Sequence, residues 1–102
     1  MNISELMKQA QQFQEKMAAV QNDLGQQQVS GSAGAGMVVA TLNGRGELLG
    51  IVIEQALAQP ENIGVLQDLV VAAVNDGLNK ARDLGKAEMA RLTGGFNIPG
   101  LF

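Results

Sequence analysis

The stretch of residues 29–54, VSGSAGAGMVVATLNGRGELLGIVIE, limits the possible folds of this 102-residue chain more than any other. Its first glycines lie between a polar segment and a β-branched run, and no Gly-Lys-Ser/Thr sequence follows them. A dinucleotide-binding loop needs an apolar strand before its glycines and a helix after them, and a P-loop ends in Gly-Lys-Ser/Thr. Residues 30–36 are therefore predicted to form a turn or bulge between two strands and not a phosphate-binding loop.

Strands are predicted at residues 26–30, 37–42 and 47–54. Residues 43–46, Asn-Gly-Arg-Gly, form a hairpin loop between the last two, because Asn and Gly tolerate positive φ. Sequential strands with short links indicate an antiparallel meander. Apolar residues alternate onto both faces of the second and third strands. Because antiparallel sheets usually leave one face to water, we expect helices on one face and a second subunit on the other.

The first 24 residues carry apolar side chains at alternating spacings of three and four: Ile3, Leu6, Ala10, Phe13, Met17, Val20 and Leu24. This is the a/d pattern of a helix, about 33 Å long at 1.5 Å per residue. Asn2 and Glu5 resemble a capping box, and Gly25 is a plausible end. Two interpretations stay open. The helix packs on its own domain, or it forms an interface with another long helix or chain.

A second long helix is predicted at residues 63–92, after Pro60 and with Asn62 as its cap. At about 45 Å it is longer than the core of so small a domain, so it projects or packs against a partner. It carries a ridge of large residues (Leu66, Val70, Val74, Leu78) and a ridge of small ones (Ala73, Gly77, Ala81, Gly85). The small ridge permits close approach of another backbone, which offsets the roughly 1 kcal/mol cost of each helical glycine. The alternative is that Gly85 breaks the helix.

Catalytic chemistry has little support in this composition. The chain has no His or Cys, so the usual general base and the thiol nucleophile are missing. Its carboxylates are scattered beside Lys or Arg without the spacing of a metal or acid–base site. We expect no enzyme activity, no cofactor, no metal and no small-molecule substrate.

Length and hydropathy predict one domain in the cytoplasm. The longest apolar run, residues 69–74, is too short to cross a bilayer, and the N-terminus lacks the basic and apolar regions of a signal peptide. We expect no membrane partner. Residues 1–92 are predicted to form a single α-βββ-α domain. Residues 93–102, TGGFNIPGLF, are predicted to be an irregular and mobile tail.

Four stretches together resemble the YbaB/EbfC family of bacterial nucleoid-associated proteins. They are LMKQAQQFQEKM at residues 6–17, VSGSAGAGMVVATLNG at 29–44, LQDLVVAAVNDGLNKA at 66–81 and TGGFNIPG at 93–100. The resemblance covers nearly the whole chain. It implies an α+β fold of long helix, three-stranded antiparallel meander and long helix. It also implies a homodimer with projecting helices, located in the nucleoid. The implied function is binding of duplex DNA, with influence on nucleoid organisation and gene expression.

The resemblance also implies where DNA is contacted, because the family places these contacts on the projecting helices. Lys8 and Lys16 match the motif of the first helix, and the corresponding part of the last helix holds Lys80, Arg82, Lys86 and Arg91. Although the net charge is −3, residues 77–102 are the only net basic part, with four cations and two acids. We expect phosphate contact without base readout. Each cation has an alternative role in solubility or in complementing a helix dipole. The alternative function is a dimeric adaptor that does not itself contact DNA.

Overall fold

Two long helices flank a three-stranded sheet in the computed structural model, which describes residues 2–94. The elements are α1 (Ile3–Gln26), β1 (Gln28–Ala33), β2 (Val38–Asn43), β3 (Leu48–Ile53) and α2 (Ile63–Thr93). Two short 3-10 turns, Gln55–Leu57 and Pro60–Asn62, connect β3 to α2. The strands are antiparallel in the order β1-β2-β3. The predicted α+β fold class, including the meander, is confirmed.

The core lies between the sheet and α2. Val38, Ala40 and Leu42 alternate along β2 onto one face, and none of the three is exposed to solvent. The large ridge of α2 packs against this cluster, together with Leu57 from the first 3-10 turn. α2 lies across β1 and β2. The sheet face that α2 covers is called the inner face below.

Small residues set the distance between α2 and the sheet. Ala73, Gly77 and Ala81 are buried, and a Cβ atom added to Gly31 on β1 would lie 2.7 Å from Gly77 Cα. The small ridge therefore does admit another backbone, as predicted, and that backbone is β1. α2 runs unbroken through Gly85, so the alternative of a helix break at this residue is wrong.

The predicted position of β1 requires a correction. Residues 31–33 were assigned to a turn, whereas the structure extends β1 through Ala33 and places the turn at residues 34–37. Gly31 resembled a turn residue in sequence, but it is a strand residue that lacks a side chain because α2 lies against it. Gly34, Ala35 and Gly36 all have positive φ and lie in this turn.

The ends of the helices differ in part from the prediction. The Asn2 side chain does cap α1, accepting a hydrogen bond from the Glu5 N–H at 2.8 Å. However, α1 continues past Gly25 to Gln26, because the hairpin supplies its last partners: the Gly44 N–H donates to the Leu24 carbonyl at 2.8 Å. Asn62 does occupy the predicted N-cap position of α2, but its side chain makes no capping hydrogen bond. Its side chain donates to the Ala56 carbonyl at 3.2 Å and fixes the preceding turn instead.

The chain is strongly elongated, with extents of 68 × 23 × 16 Å and a radius of gyration of 19.3 Å. A compact domain of this length has a radius of gyration of about 13 Å. The apolar seam of α1 is buried at Leu24, near the hairpin and α2, and exposed at Ile3 and Leu6. Its C-terminal part thus packs within the domain, as one interpretation expected, while its N-terminal part projects.

Exposed apolar surface is concentrated along β3. Every residue of this strand is exposed, and Val52 retains 70% of its accessible area. The expectation of two apolar sheet faces is only partly right, because β1 places Gln28, Ser30 and Ser32 on the face opposite α2. The open apolar region is therefore one strand at the sheet edge rather than a whole face.

The predicted division into a domain and a tail falls partly outside the described residues. Thr93, assigned to the tail, is the last residue of α2, and its hydroxyl donates to the Met89 carbonyl at 2.8 Å. Residues 95–102 of the predicted tail lie outside the described part of the chain. Within residues 2–94, no helix is both long and apolar enough to cross a membrane.

Candidate nucleic-acid interface

The six predicted DNA-contacting cations are all exposed, but they do not form one surface. In a helix each residue turns by about 100°, so Lys80 and Arg82 point in directions about 160° apart around α2. Arg82 and Lys86, four residues apart, share a face. The cations of α2 therefore lie on different faces of the helix, with Arg82 and Lys86 on one face and Lys80 on another.

Lys80 is held against the sheet edge. Its ammonium Nζ lies 3.2 Å from Asp76 Oδ2 and donates to the Ser30 carbonyl at 2.9 Å. Asp76 Oδ2 also accepts from the Ser32 N–H at 3.0 Å. An edge strand leaves backbone groups without a neighbouring strand, and these two side chains satisfy two of them on β1. Asp76, Lys80 and their partners Ser30 and Ser32 are called the β1 clasp below.

The clasp changes the acidity of Asp76. The Ser32 N–H, followed by the Lys80 ammonium, stabilises the carboxylate and lowers the pKa of Asp76 below its usual value. Lys80 thus has a structural role that its sequence context did not reveal. Arg91 is also paired, with its NH1 atom 3.3 Å from Glu88 Oε1.

Arg82 and Lys86 remain available to a ligand. Both side chains are exposed, and neither makes an ion pair or hydrogen bond with another side chain among residues 2–94. They are called the Arg82–Lys86 face below. On α1, Lys8 lies on the projecting part and Lys16 lies about 12 Å further along the axis, both exposed.

A seventh cation, Arg45, was not selected from the sequence. It lies in the hairpin loop between β2 and β3, where Asn43 Oδ1 accepts from the N–H groups of Arg45 and Glu47 at 3.1 and 3.0 Å. Glu47 Oε1 accepts from Asn43 Nδ2 at 2.7 Å and from Arg45 Nε at 3.1 Å. The Asn43 amide and then the Arg45 guanidinium lower the pKa of Glu47. The loop is thereby fixed by its own side chains.

Arg45 and Arg82 both line a groove formed by α1, the hairpin loop and α2. The groove has a volume of about 360 Å³. This root groove is lined by polar residues, by glycines and by three apolar residues. They are Gln21, Arg45 and Arg82, then Gly44, Gly46 and Gly85, and finally Leu24, Leu78 and Ala81. The groove could not be predicted from the sequence, apart from a cation inside a hairpin loop, because it depends on how α1 and α2 pack together. No cluster of three or more acidic side chains suited to a metal ion occurs within residues 2–94.

The chain is similar to known proteins over nearly its full length. Residues 1–96 match the profile of the YbaB/EbfC DNA-binding family. The nucleoid-associated protein DP1429 of Desulfotalea psychrophila is 55% identical over 101 residues, which cover 99% of this chain and 95% of the relative. The nucleoid-associated protein TTE0040 of Caldanaerobacter subterraneus is 48% identical over 101 residues, with coverage of 99% and 91%.

A solved structure has the same fold. The crystal structure of the uncharacterized protein HP0035 from Helicobacter pylori aligns with a TM-score of 0.84. The alignment covers 92% of this chain and 99% of that one, at 23% sequence identity. At this level of identity the likeness supports the α-βββ-α architecture and does not extend to individual site residues.

Proposed function

The chain belongs to the YbaB/EbfC DNA-binding family, and from this premise we propose that it binds duplex DNA as a nucleoid-associated homodimer. Family membership is the observation that carries the proposal. Both relatives described above bear the name nucleoid-associated protein, which supports a location of this chain in the nucleoid.

DNA contact is assigned to phosphates and, on α2, to the Arg82–Lys86 face. These two cations have no competing acidic partner among the described residues, whereas Lys80 and Arg91 are already paired. Net repulsion from a chain of charge −3 is screened beyond about 8–10 Å at physiological salt, so local contacts survive. With few base contacts, binding has little sequence preference. Occupation of many weak sites is the route by which it influences nucleoid organisation and gene expression.

The homodimer is assigned to β3. This strand is exposed on both faces, is rich in apolar residues and lies at the free edge of the sheet. The opposite edge, β1, is already occupied by the clasp. An exposed apolar edge strand invites aggregation unless something covers it, and a second copy of the chain supplies a matching strand. A dimer carries two Arg82–Lys86 faces.

Fluorescence anisotropy with labelled duplexes of unrelated sequence tests the function. Two cations on each of two copies neutralise about four phosphates, which predicts a slope of about −3.6 for log K against log salt. The dissociation constant is expected in the non-specific range of about 10⁻⁴ to 10⁻⁶ M, and similar for all duplexes. A folded dimer that binds no duplex at 50 mM salt would overturn the proposal and favour the adaptor function.

A further inference from the structure

We propose that Arg45 and Arg82 together bind one DNA phosphate in the root groove. The inference rests on the proposed function and extends it in one respect: it adds the hairpin loop to a DNA-contacting surface otherwise formed by the helices. The two arginines lie far apart in sequence and on different elements, yet both line the same groove.

The groove has room for an anion beside the two guanidinium groups. Its volume is about 360 Å³, and one of its lining residues, Gly85, has no side chain to fill it. A Cβ added at Gly85 would meet no atom within 4 Å, so the α2 side of the groove is open to an approaching strand of DNA.

Arg45 is held in place before any ligand arrives. Glu47 Oε1 engages its Nε atom at 3.1 Å and its NH2 atom at 3.0 Å. The guanidinium also lies over the last turn of α1, since a Cβ added to Gly25 would be 2.7 Å from Arg45 Cζ. A guanidinium has five N–H donors, so donors remain for an anion after Glu47 is satisfied. A side chain that is already ordered loses less entropy on binding.

The charge of this site matches a phosphodiester. Glu47 offsets the charge of Arg45, while Arg82 has no acidic partner among residues 2–94, which leaves a net charge of about +1. A phosphodiester carries a single negative charge, and guanidinium groups suit phosphate because they donate two parallel hydrogen bonds. The same two arginines would also bind free inorganic phosphate. The experiment must therefore distinguish a phosphate of DNA from free phosphate.

The test compares Arg45→Gln, Arg82→Gln and the double variant in the anisotropy assay. Arg91→Gln is the matched control, because it removes the same charge from a residue outside the groove. Each single variant should weaken DNA binding on the order of tenfold at 50 mM salt, the size of one phosphate contact. Because the two arginines share a phosphate, the loss in the double variant should fall short of the product of the single losses.

The salt dependence gives the sharper readout. Loss of one shared phosphate per copy flattens the slope of the dimer by about 1.8 in the double variant, whereas two separate contacts would flatten it by about 3.6. Arg91→Gln should keep the wild-type slope. Melting temperatures of all variants are measured in parallel to verify folding.

The source of the phosphate is separated by NMR of the arginine Nε–H signals in the wild-type protein. Signals of Arg45 and Arg82 should shift with duplex and remain in place with inorganic phosphate at the same concentration of phosphate groups. Shifts with inorganic phosphate but none with duplex would overturn the assignment to DNA. If wild type binds duplex and the double variant binds equally well with the same slope, the shared phosphate contact of Arg45 and Arg82 is wrong while the proposed function stands. If wild type binds no duplex, both are wrong.

Discussion

Gly31 on β1 and Gly77 on α2 lie so close together that neither position has room for a side chain. A Cβ at Gly31 would collide with the Gly77 backbone nitrogen and the Ala73 carbonyl, and one at Gly77 would collide with the Leu42 side chain. Leu42 is fully buried and cannot swing away. This contact fixes α2 on the sheet, and thereby fixes which way the Arg82–Lys86 face points.

Gly31→Ala should destabilise the fold by about 1–3 kcal/mol, because the new methyl group meets backbone atoms that can move only with the whole helix. Chemical denaturation measures the effect. The control is Gly85→Ala, where the added Cβ has open space and helix propensity favours alanine by up to about 1 kcal/mol. Equal stability of Gly31→Ala and wild type would show that the helix and the sheet are not in close contact.

Asp76→Asn should lower the melting temperature at pH 7, because it removes the charge that holds Lys80 in the β1 clasp. The pKa of Asp76 is lowered in the folded protein. Its stabilising effect is therefore present above the unfolded value of about 3.9 and is lost as pH falls through the folded pKa. The difference from wild type should shrink below about pH 4.

Thermal melts from pH 3 to pH 7 test this clasp prediction, with Asp83→Asn as a control. Asp83 is an exposed acid on the same helix that makes no ion pair with the described residues. A constant gap between Asp76→Asn and wild type across the whole range would be incompatible with a role for the ionised carboxylate.

Val52→Asp should convert the dimer into a folded monomer. Val52 is 70% exposed in the single chain, so the charge is tolerated there, but burial against a second β3 would cost several kcal/mol. Val52 is preferred to Ile51, because Ile51 lies opposite Ala40 on the inner face and is only 37% exposed. Light scattering should give a wild-type mass of twice 10.7 kDa.

The matched control for the dimer is Gln28→Asp, an exposed position on the opposite edge strand, which should remain dimeric. A well-folded wild-type monomer at micromolar concentration would overturn the dimer. A Val52→Asp variant that stays dimeric would instead show that the dimer interface is not at β3.

The order of helices and strands was predictable because apolar residues recur at different spacings in the two kinds of element. Turn residues between the elements indicated the same order. α2 was predicted at residues 63–92 and occurs at Ile63–Thr93. The errors arose at glycines. Gly31 and Gly25 were assigned to a turn and a helix end, yet one lies in a strand and the other within α1. At each of these positions a part of the chain that is distant in sequence lies against the glycine. Such contacts cannot be predicted from the pattern of a single sequence.

The candidate site was less predictable than the fold. Sequence and family resemblance identified Lys80 and Arg82 as equivalent cations, but a tertiary contact separates them: Lys80 bonds β1, and Arg82 faces the root groove. Arg45 was not identified from the sequence because Arg82, the other arginine that lines the root groove, is 37 positions away. The spacing of residues within one helix indicates which of them share a face. Which surfaces of different elements lie together is known only from the three-dimensional structure.

The salt dependence of DNA binding by Arg82→Gln/Lys86→Gln tests the central claim most directly. Wild type and Lys80→Gln should both show a slope of about −3.6, while the double variant, in which Arg45 still holds one phosphate in each copy, should show a slope of about −1.8. All three proteins must be folded and dimeric under the assay conditions. If the double variant keeps the wild-type slope and affinity, the Arg82–Lys86 face does not contact DNA, and Lys8 and Lys16 of α1 become the candidate contacts.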